Sequence, residues 1–242
     1  MKKTDILIFF IIAFCVIFTL LQINGKTELS GLSKALIAPL FALMYFINVE
    51  KKTRYFSLFL IAFSAAELFV FVEYFSLKAP QINLDAVYVI GNLFYMLSYV
   101  FLIIEVSKTI NFRKALKNYI VHILILMALN IYIVYVLLTI VFPSFPKGAE
   151  LFIMVELVYN IIMLLLLSIS LISYFYNDNK KTLFLFFGSI CIVFSEVIQI
   201  AYYYVAEEQG VLNIVQTLLF LMAFCFFYVQ SKVKNEKVEL FV

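Results

Sequence analysis

Two carboxylic acids at matching depth in separate apolar runs are the part of this sequence best suited to chemistry. Glu67 and Glu196 each lie ten residues before the end of a long hydrophobic stretch, about 15 Å along a helix at ~1.5 Å per residue. Taking a carboxyl out of water favours its neutral form, and two acids at one depth could divide the roles of proton donor and proton acceptor. Helical spacing stacks more polar groups in the same half of neighbouring runs: Asn92, Tyr95 and Tyr99; Glu156, Tyr159 and Asn160; Gln199 and Tyr203 beyond Glu196; and Asn213 with Gln216. Residues three, four or seven apart share a helix face, so each run carries one polar stripe. Stripes of this kind turned toward lipid would be costly, and they are expected to line a common polar cavity. The plainer alternative is that they join helices through interhelical hydrogen bonds, as Asn, Gln and Tyr commonly do.

The elements that must position these groups are membrane spans. The chain has 242 residues, of which 65% are hydrophobic and only 14% charged, whereas soluble domains run near 45–50% apolar and about 25% charged. A hydrocarbon core about 30 Å thick needs roughly 20 apolar residues per helix. Eight runs fit: Ile6–Ile23, Leu32–Val49, Tyr55–Leu77, Leu84–Ser107, Asn118–Phe142, Ala149–Phe175, Thr182–Ala206 and Val211–Gln230. Asn24-Gly25, Gly31, Pro80, Pro143, Pro146, Gly148, Asn177-Asp178-Asn179 and Gly210 punctuate them. The expectation is an all-α polytopic membrane protein, a single domain over residues 1–242 made of eight transmembrane helices with short connections. The first run follows Lys2 and Lys3 but lacks a small-x-small cleavage pattern, and is read as a retained helix.

Lysine and arginine fix the expected orientation, because cytoplasmic connections keep positive charge. Fourteen fall on the N-terminal side: Lys2, Lys3, Lys51, Lys52, Arg54, Lys108, Arg113, Lys114, Lys117, Lys180, Lys181, Lys232, Lys234 and Lys237. Four fall on the other: Lys26, Lys34, Lys78 and Lys147. Both termini are therefore placed inside, and the polar cavity is expected to open toward the outer leaflet between spans three, four, six, seven and eight. The short connections and the abundance of Lys, Asn and Ile suit a bacterial inner membrane. A net charge of +3, scattered along the chain, gives no reason to expect a nucleic-acid partner.

Other residues have simpler roles. Glu105, one turn from Lys108, and Glu73, near a helix end, can reach headgroups. Lys34 opens span two, where snorkelling accounts for it, although it also sets a cation where a lipid phosphate would pass. Pro39 should kink that span, and Gly188 is the other strong mid-helix breaker. His122 has no second His or Cys nearby, and no metal site is expected. Cys15, Cys191 and Cys225 lie in apolar runs and read as small hydrophobes. Twenty-eight Phe and sixteen Tyr are read mostly as lipid-facing and interfacial material. A Gly-rich phosphate loop, a paired-histidine motif and a serine-nucleophile elbow are all missing from the sequence, which removes the commoner hydrolase chemistries.

Several short motifs resemble the YhhN family of lysoplasmalogenase-like membrane proteins. They are Lys34-Ala-Leu-Ile-Ala-Pro39-Leu40 in span two, Ser64-Ala-Ala66-Glu67-Leu68 in span three, Gly91-Asn-Leu-Phe-Tyr-Met-Leu-Ser-Tyr99 in span four, and Gly188-Ser-Ile-Cys-Ile-Val-Phe194-Ser195-Glu196 in span seven. The last is similar to the family's Gly-x-x-x-Phe-x-x-Ser-Asp run. The resemblance implies hydrolysis of the vinyl-ether bond of a lysolipid, with release of a fatty aldehyde, by two membrane-embedded acids that correspond to Glu67 and Glu196. The family carries aspartates at both positions, Gly before the first and His on span four; here Ala66 precedes Glu67 and Tyr99 stands at or near the histidine's place. An added methylene moves a carboxyl by more than an ångström, so the resemblance speaks for the fold more than for the activity.

On that reading one acid protonates the vinyl-ether carbon and the other stabilises the oxocarbenium ion and orients water. The substrate-binding set would be Lys34, Asn92, Tyr95, Tyr99, Glu156, Tyr159, Asn160, Gln199, Tyr203 and Gln216, with Lys34 meeting the phosphate. The partner is a membrane lipid or lysolipid, and no metal or organic cofactor is required. The rival expectation is a non-catalytic lipid-binding, transport or assembly protein that uses the same cavity.

Overall fold

Apolar runs long enough to cross a bilayer have to satisfy every backbone N–H and C=O internally, and helices do so within a single segment. The structure, a computed structural model, describes residues 3–76, 83–144, 149–206 and 209–233. Lys2, Leu77, Lys78, Pro80, Pro146, Lys147, Gly148, Lys234 and Lys237 lie outside the described residues. The helices are α1 (Lys3–Ile23), α2 (Thr27–Ala35), α3 (Ile37–Asn48), α4 (Arg54–Ser76), α5 (Leu84–Ser107), α6 (Phe112–Val141), α7 (Glu150–Asn177), α8 (Lys180–Tyr204) and α9 (Gly210–Lys232). With α2 and α3 taken together they make eight helices long and apolar enough to span a membrane. The fold is an all-α polytopic bundle.

Several helices extend past the apolar runs, because the hydrogen-bond ladder continues through polar residues that a hydropathy count rejects. Thus α2 starts at Thr27 and α6 at Phe112. Local chemistry sets the ends. Asn83, Asn111 and Asn179 cap α5, α6 and α8 by accepting from backbone N–H groups two or three residues on. Gly25 turns the chain between α1 and α2 at φ +70°, and Asp178 closes α7 at φ 42°, a left-handed conformation that short polar residues tolerate.

Pro39 acts more strongly than a kink. It has no N–H for the carbonyl of Ala35, and its ring crowds that carbonyl. The span breaks there into α2 and α3, with Leu36 between them. Gly188, by contrast, does not break α8, which runs through it. Its role is close approach to α9: a Cβ on Gly188 would stand 2.5 Å from Phe227 Cε1 and 2.6 Å from Cδ1. Phe227 is buried and held against Phe59 and Phe224. Gly188→Ala is therefore expected to lower stability by about 1–3 kcal/mol through overpacking. Thermal unfolding in detergent checks this, and an unchanged midpoint would refute it.

The core is aromatic. Phe59, Phe63, Phe220, Phe224 and Phe227 pack with ring centroids 4.9–6.2 Å apart, and all five are buried. Most of the other described phenylalanines are partly or fully exposed on the outside of the bundle, as expected from the sequence. The seam of α4 and α9 that they form, closed by α8 behind Gly188, is the floor beneath the acids. Outside it, α6 is the most peripheral helix and meets α7 partly through Asn130 Nδ2, which donates to Ser168 Oγ at 2.8 Å.

Contacts between helix ends confirm that the spans alternate. At one end Thr4 Oγ1 donates to Asn48 at 2.7 Å, and a shared hollow joins Lys51, Glu105, Lys181 and Gln230. At the other, the buried Gln22 side chain accepts from Ser30 Oγ at 2.7 Å and from Asn213 Nδ2 at 3.0 Å. The first end carries most of the lysines and is called the lysine-rich end below.

Candidate functional site: a cluster of acids, tyrosines and one lysine

The site grows from α5. Tyr88, Tyr95 and Tyr99 recur at i, i+7 and i+11, a spacing that keeps them on one side of a helix. Each hydroxyl donates to an acid on a different neighbour. Tyr88 Oη donates to Glu156 Oε1 of α7. Tyr95 Oη donates to Glu67 Oε1 of α4 at 2.9 Å. Tyr99 Oη donates to Glu196 Oε1 of α8 at 2.7 Å. Tyr159 of α7 has its hydroxyl within interaction range of both Glu196 and Tyr99. Its ring lies 5.9 Å from that of Tyr99 and 6.4 Å from that of Tyr95.

Lys34 completes the cluster from α2. Its Nζ donates to Gln216 Oε1 at 2.6 Å and lies 5.8 Å from the centroid of the Phe220 ring. Its charge acts on both Glu67 and Glu196, and those two acids also sense each other. Lys34 thus turns inward and does not snorkel to headgroups. Gln216 is held in turn by α8: its Nε2 donates to Ser195 Oγ at 3.0 Å and to Gln199 Oε1 at 3.2 Å, while Ser195 Oγ donates to the Gln216 carbonyl at 3.0 Å. Glu67, Gln216 and Ser195 are all buried.

Most of the residues singled out from spacing come together: Lys34, Glu67, Tyr95, Tyr99, Tyr159, Glu196, Gln199 and Gln216. Glu156 joins through Tyr88 at one side. Three others stand apart. Asn92 donates to the Tyr88 carbonyl of its own helix at 2.9 Å. Tyr203 shares the azimuth of Glu196 but sits in the last turn of α8, where it is 56% exposed and rests against Tyr202. Asn160 is fully buried, and neither its amide oxygen nor its amide nitrogen has a hydrogen-bond partner among the described residues. Spacing arguments missed Tyr88 and Ser195. The signal for Tyr88 was its position seven residues before Tyr95; for Ser195, its place beside Glu196.

Glu105 pairs with Lys108 at 3.2 Å, Glu73 is exposed, and His122 lies on the outside of α6 with its ring 5.6 Å from Phe175. The three cysteines are free.

One hollow lies at the lysine-rich end and an apolar groove runs along α1 and Leu221; the linings of these two do not include Glu67 or Glu196. The acids are packed among hydroxyls, an ammonium and aromatic rings. Such an arrangement can hold a proton between two carboxyls and pass it to a group inserted between them.

Fold and site together define a multi-pass, all-helical membrane protein with a polar cluster buried among its spans. Compared with family models, curated proteins and solved structures, the chain finds no match.

Proposed function

We propose that this protein acts on membrane lipids as a divergent relative of the YhhN lysoplasmalogenase-like family, cleaving the vinyl-ether bond of a lysolipid by carboxyl acid/base catalysis. The observation that carries the reading is that Glu67 and Glu196, on separate helices, are bonded by tyrosines one turn apart on α5 and share the charge of Lys34. Two carboxylates and one ammonium sum to −1, and an uncompensated charge in such a place is costly. A single proton held by the acid pair makes the cluster neutral. One acid is then a donor and the other an acceptor, as the reaction requires.

The donor's proton goes to the vinyl carbon remote from oxygen, and the C=C electron pair forms the new C–H bond. The oxocarbenium ion left behind is stabilised by the other carboxylate, which also takes a proton from the attacking water. The resulting hemiacetal loses its alcohol, the acids regain their starting protonation, and the products are a fatty aldehyde and a glycerophospho-alcohol. Tyr95, Tyr99 and Tyr159 hold the acids in place. The amide of Asn160, next to Tyr159 in sequence on α7, has no partner among the described residues and offers a donor and an acceptor to a ligand.

One observation favours a second reading, a non-catalytic lipid-binding, transport or assembly role: Glu67 is only 6% exposed. Aldehyde release from lysoplasmalogen by the protein purified in detergent separates the two. Release above a protein-free control is expected, and none would leave the second reading.

A further inference from the structure

The hollow at the lysine-rich end is far from the acids and has its own chemistry. Its volume is about 130 Å³. One water occupies about 10–15 Å³ of such space, so it admits about ten water-sized groups. Two helices begin at its wall, α4 after Lys51-Lys52-Thr53 and α8 after Asn179. Helix N-termini carry partial positive charge and unsatisfied N–H groups. The Asn179 cap takes the Thr182 N–H at 2.8 Å, while those of Lys180 and Lys181 have no intrahelical acceptor.

Both helices open against the usual charge rule. Neither α4 nor α8 has an acid in its first turn, and Arg54, Lys180 and Lys181 stand there instead. Cations at a helix N-terminus oppose the dipole. Lys51 and Lys181 line the hollow, and neither has an ion-pair partner among the described residues. Glu105 lines it too, but its carboxylate is held by Lys108 at 3.2 Å.

A second, independent observation comes from the far wall. Gln230 of α9 is 4% exposed and lines the hollow, yet its side-chain amide makes no hydrogen bond to any described residue. Its amide, which can donate and accept, shares the hollow with two lysines and the N-terminus of α8.

We propose that the hollow is an oxyanion site for a phosphoryl group, held by Lys51, Lys181, the α8 N-terminus and the Gln230 amide. The same chemistry would recognise free phosphate or the phosphate of an anionic lipid headgroup. The site stands independently of any reaction at Glu67 and Glu196.

The test has two arms on detergent-purified protein. In the first, inorganic phosphate is titrated calorimetrically, with chloride at equal ionic strength as control. In the second, the protein is placed in nanodiscs of phosphatidylcholine with or without phosphatidylglycerol, extracted, and assayed for retained phosphatidylglycerol. The variants are Lys51→Gln/Lys181→Gln and, separately, Gln230→Leu, with Lys26→Gln at the opposite end as the control. Saturable phosphate binding that weakens about tenfold or more in the double variant, the loss expected for removed charge-assisted bonds, identifies a free phosphoryl ligand. Retention of phosphatidylglycerol without phosphate binding, lost in the double variant and reduced by Gln230→Leu, identifies a headgroup. Absence of both, or binding unchanged in the double variant and in Gln230→Leu, overturns the proposal.

Discussion

If the proposed chemistry holds, Glu196→Gln should lower aldehyde release from lysoplasmalogen by about 10²–10⁴-fold, and Glu67→Gln should do the same, the range for removing a positioned general acid or base. Glutamine keeps the size of the side chain, and its amide oxygen can still accept from Tyr99 or Tyr95. What it cannot do is give up or take a proton at that atom. The loss should therefore appear in kcat with little change in KM, since neither substitution alters the apolar surroundings. Thermal unfolding of the same variants in detergent guards against a folding artefact. Equal turnover by wild type and both variants would end the proposed chemistry.

Lys34→Met should be the most damaging single change to the bundle. Methionine retains most of the apolar stem but removes the ammonium that donates to Gln216 Oε1 at 2.6 Å and balances Glu67 and Glu196. Removing one member of a buried charge group leaves the others uncompensated, at about 3–5 kcal/mol. The sign is checked by a double variant. Lys34→Met/Glu67→Gln has one fewer positive and one fewer negative charge, so it should recover much of the stability lost in the single variant, as coupled neighbours do. A double variant whose loss equals the sum of the two single losses would mean that Lys34 and Glu67 do not communicate.

The fold was largely legible because hydropathy reports directly on what a bilayer requires. The eight runs and their alternating charge follow from solvent physics alone, and the end-to-end contacts of Gln22 with Ser30 and Asn213 agree with them. The site was half legible. A helical wheel placed Tyr95, Tyr99 and Glu196 on inward faces, but it does not say how far the neighbouring helices extend, and Tyr203 fell beyond their cover. Nor does it say which way a long flexible side chain will reach: Lys34 at a helix start reads as a snorkelling residue until the Pro39 break is seen, with α2 and α3 as separate segments. Gly188 shows the same limit. Its lack of a side chain suggests a flexible point in one helix taken alone, whereas the structure uses it to seat a phenylalanine from another.

The three tyrosines of α5 also govern how the bundle can move. Their hydroxyls bind acids on α4, α7 and α8, so α5 is a common ruler against which three neighbours are registered. A helix turn is about 5.4 Å, far more than a hydrogen bond can stretch. Sliding α5 by part of a turn would strain all three bonds together. A rigid shift of α5 would therefore act on acids of three neighbouring helices at once.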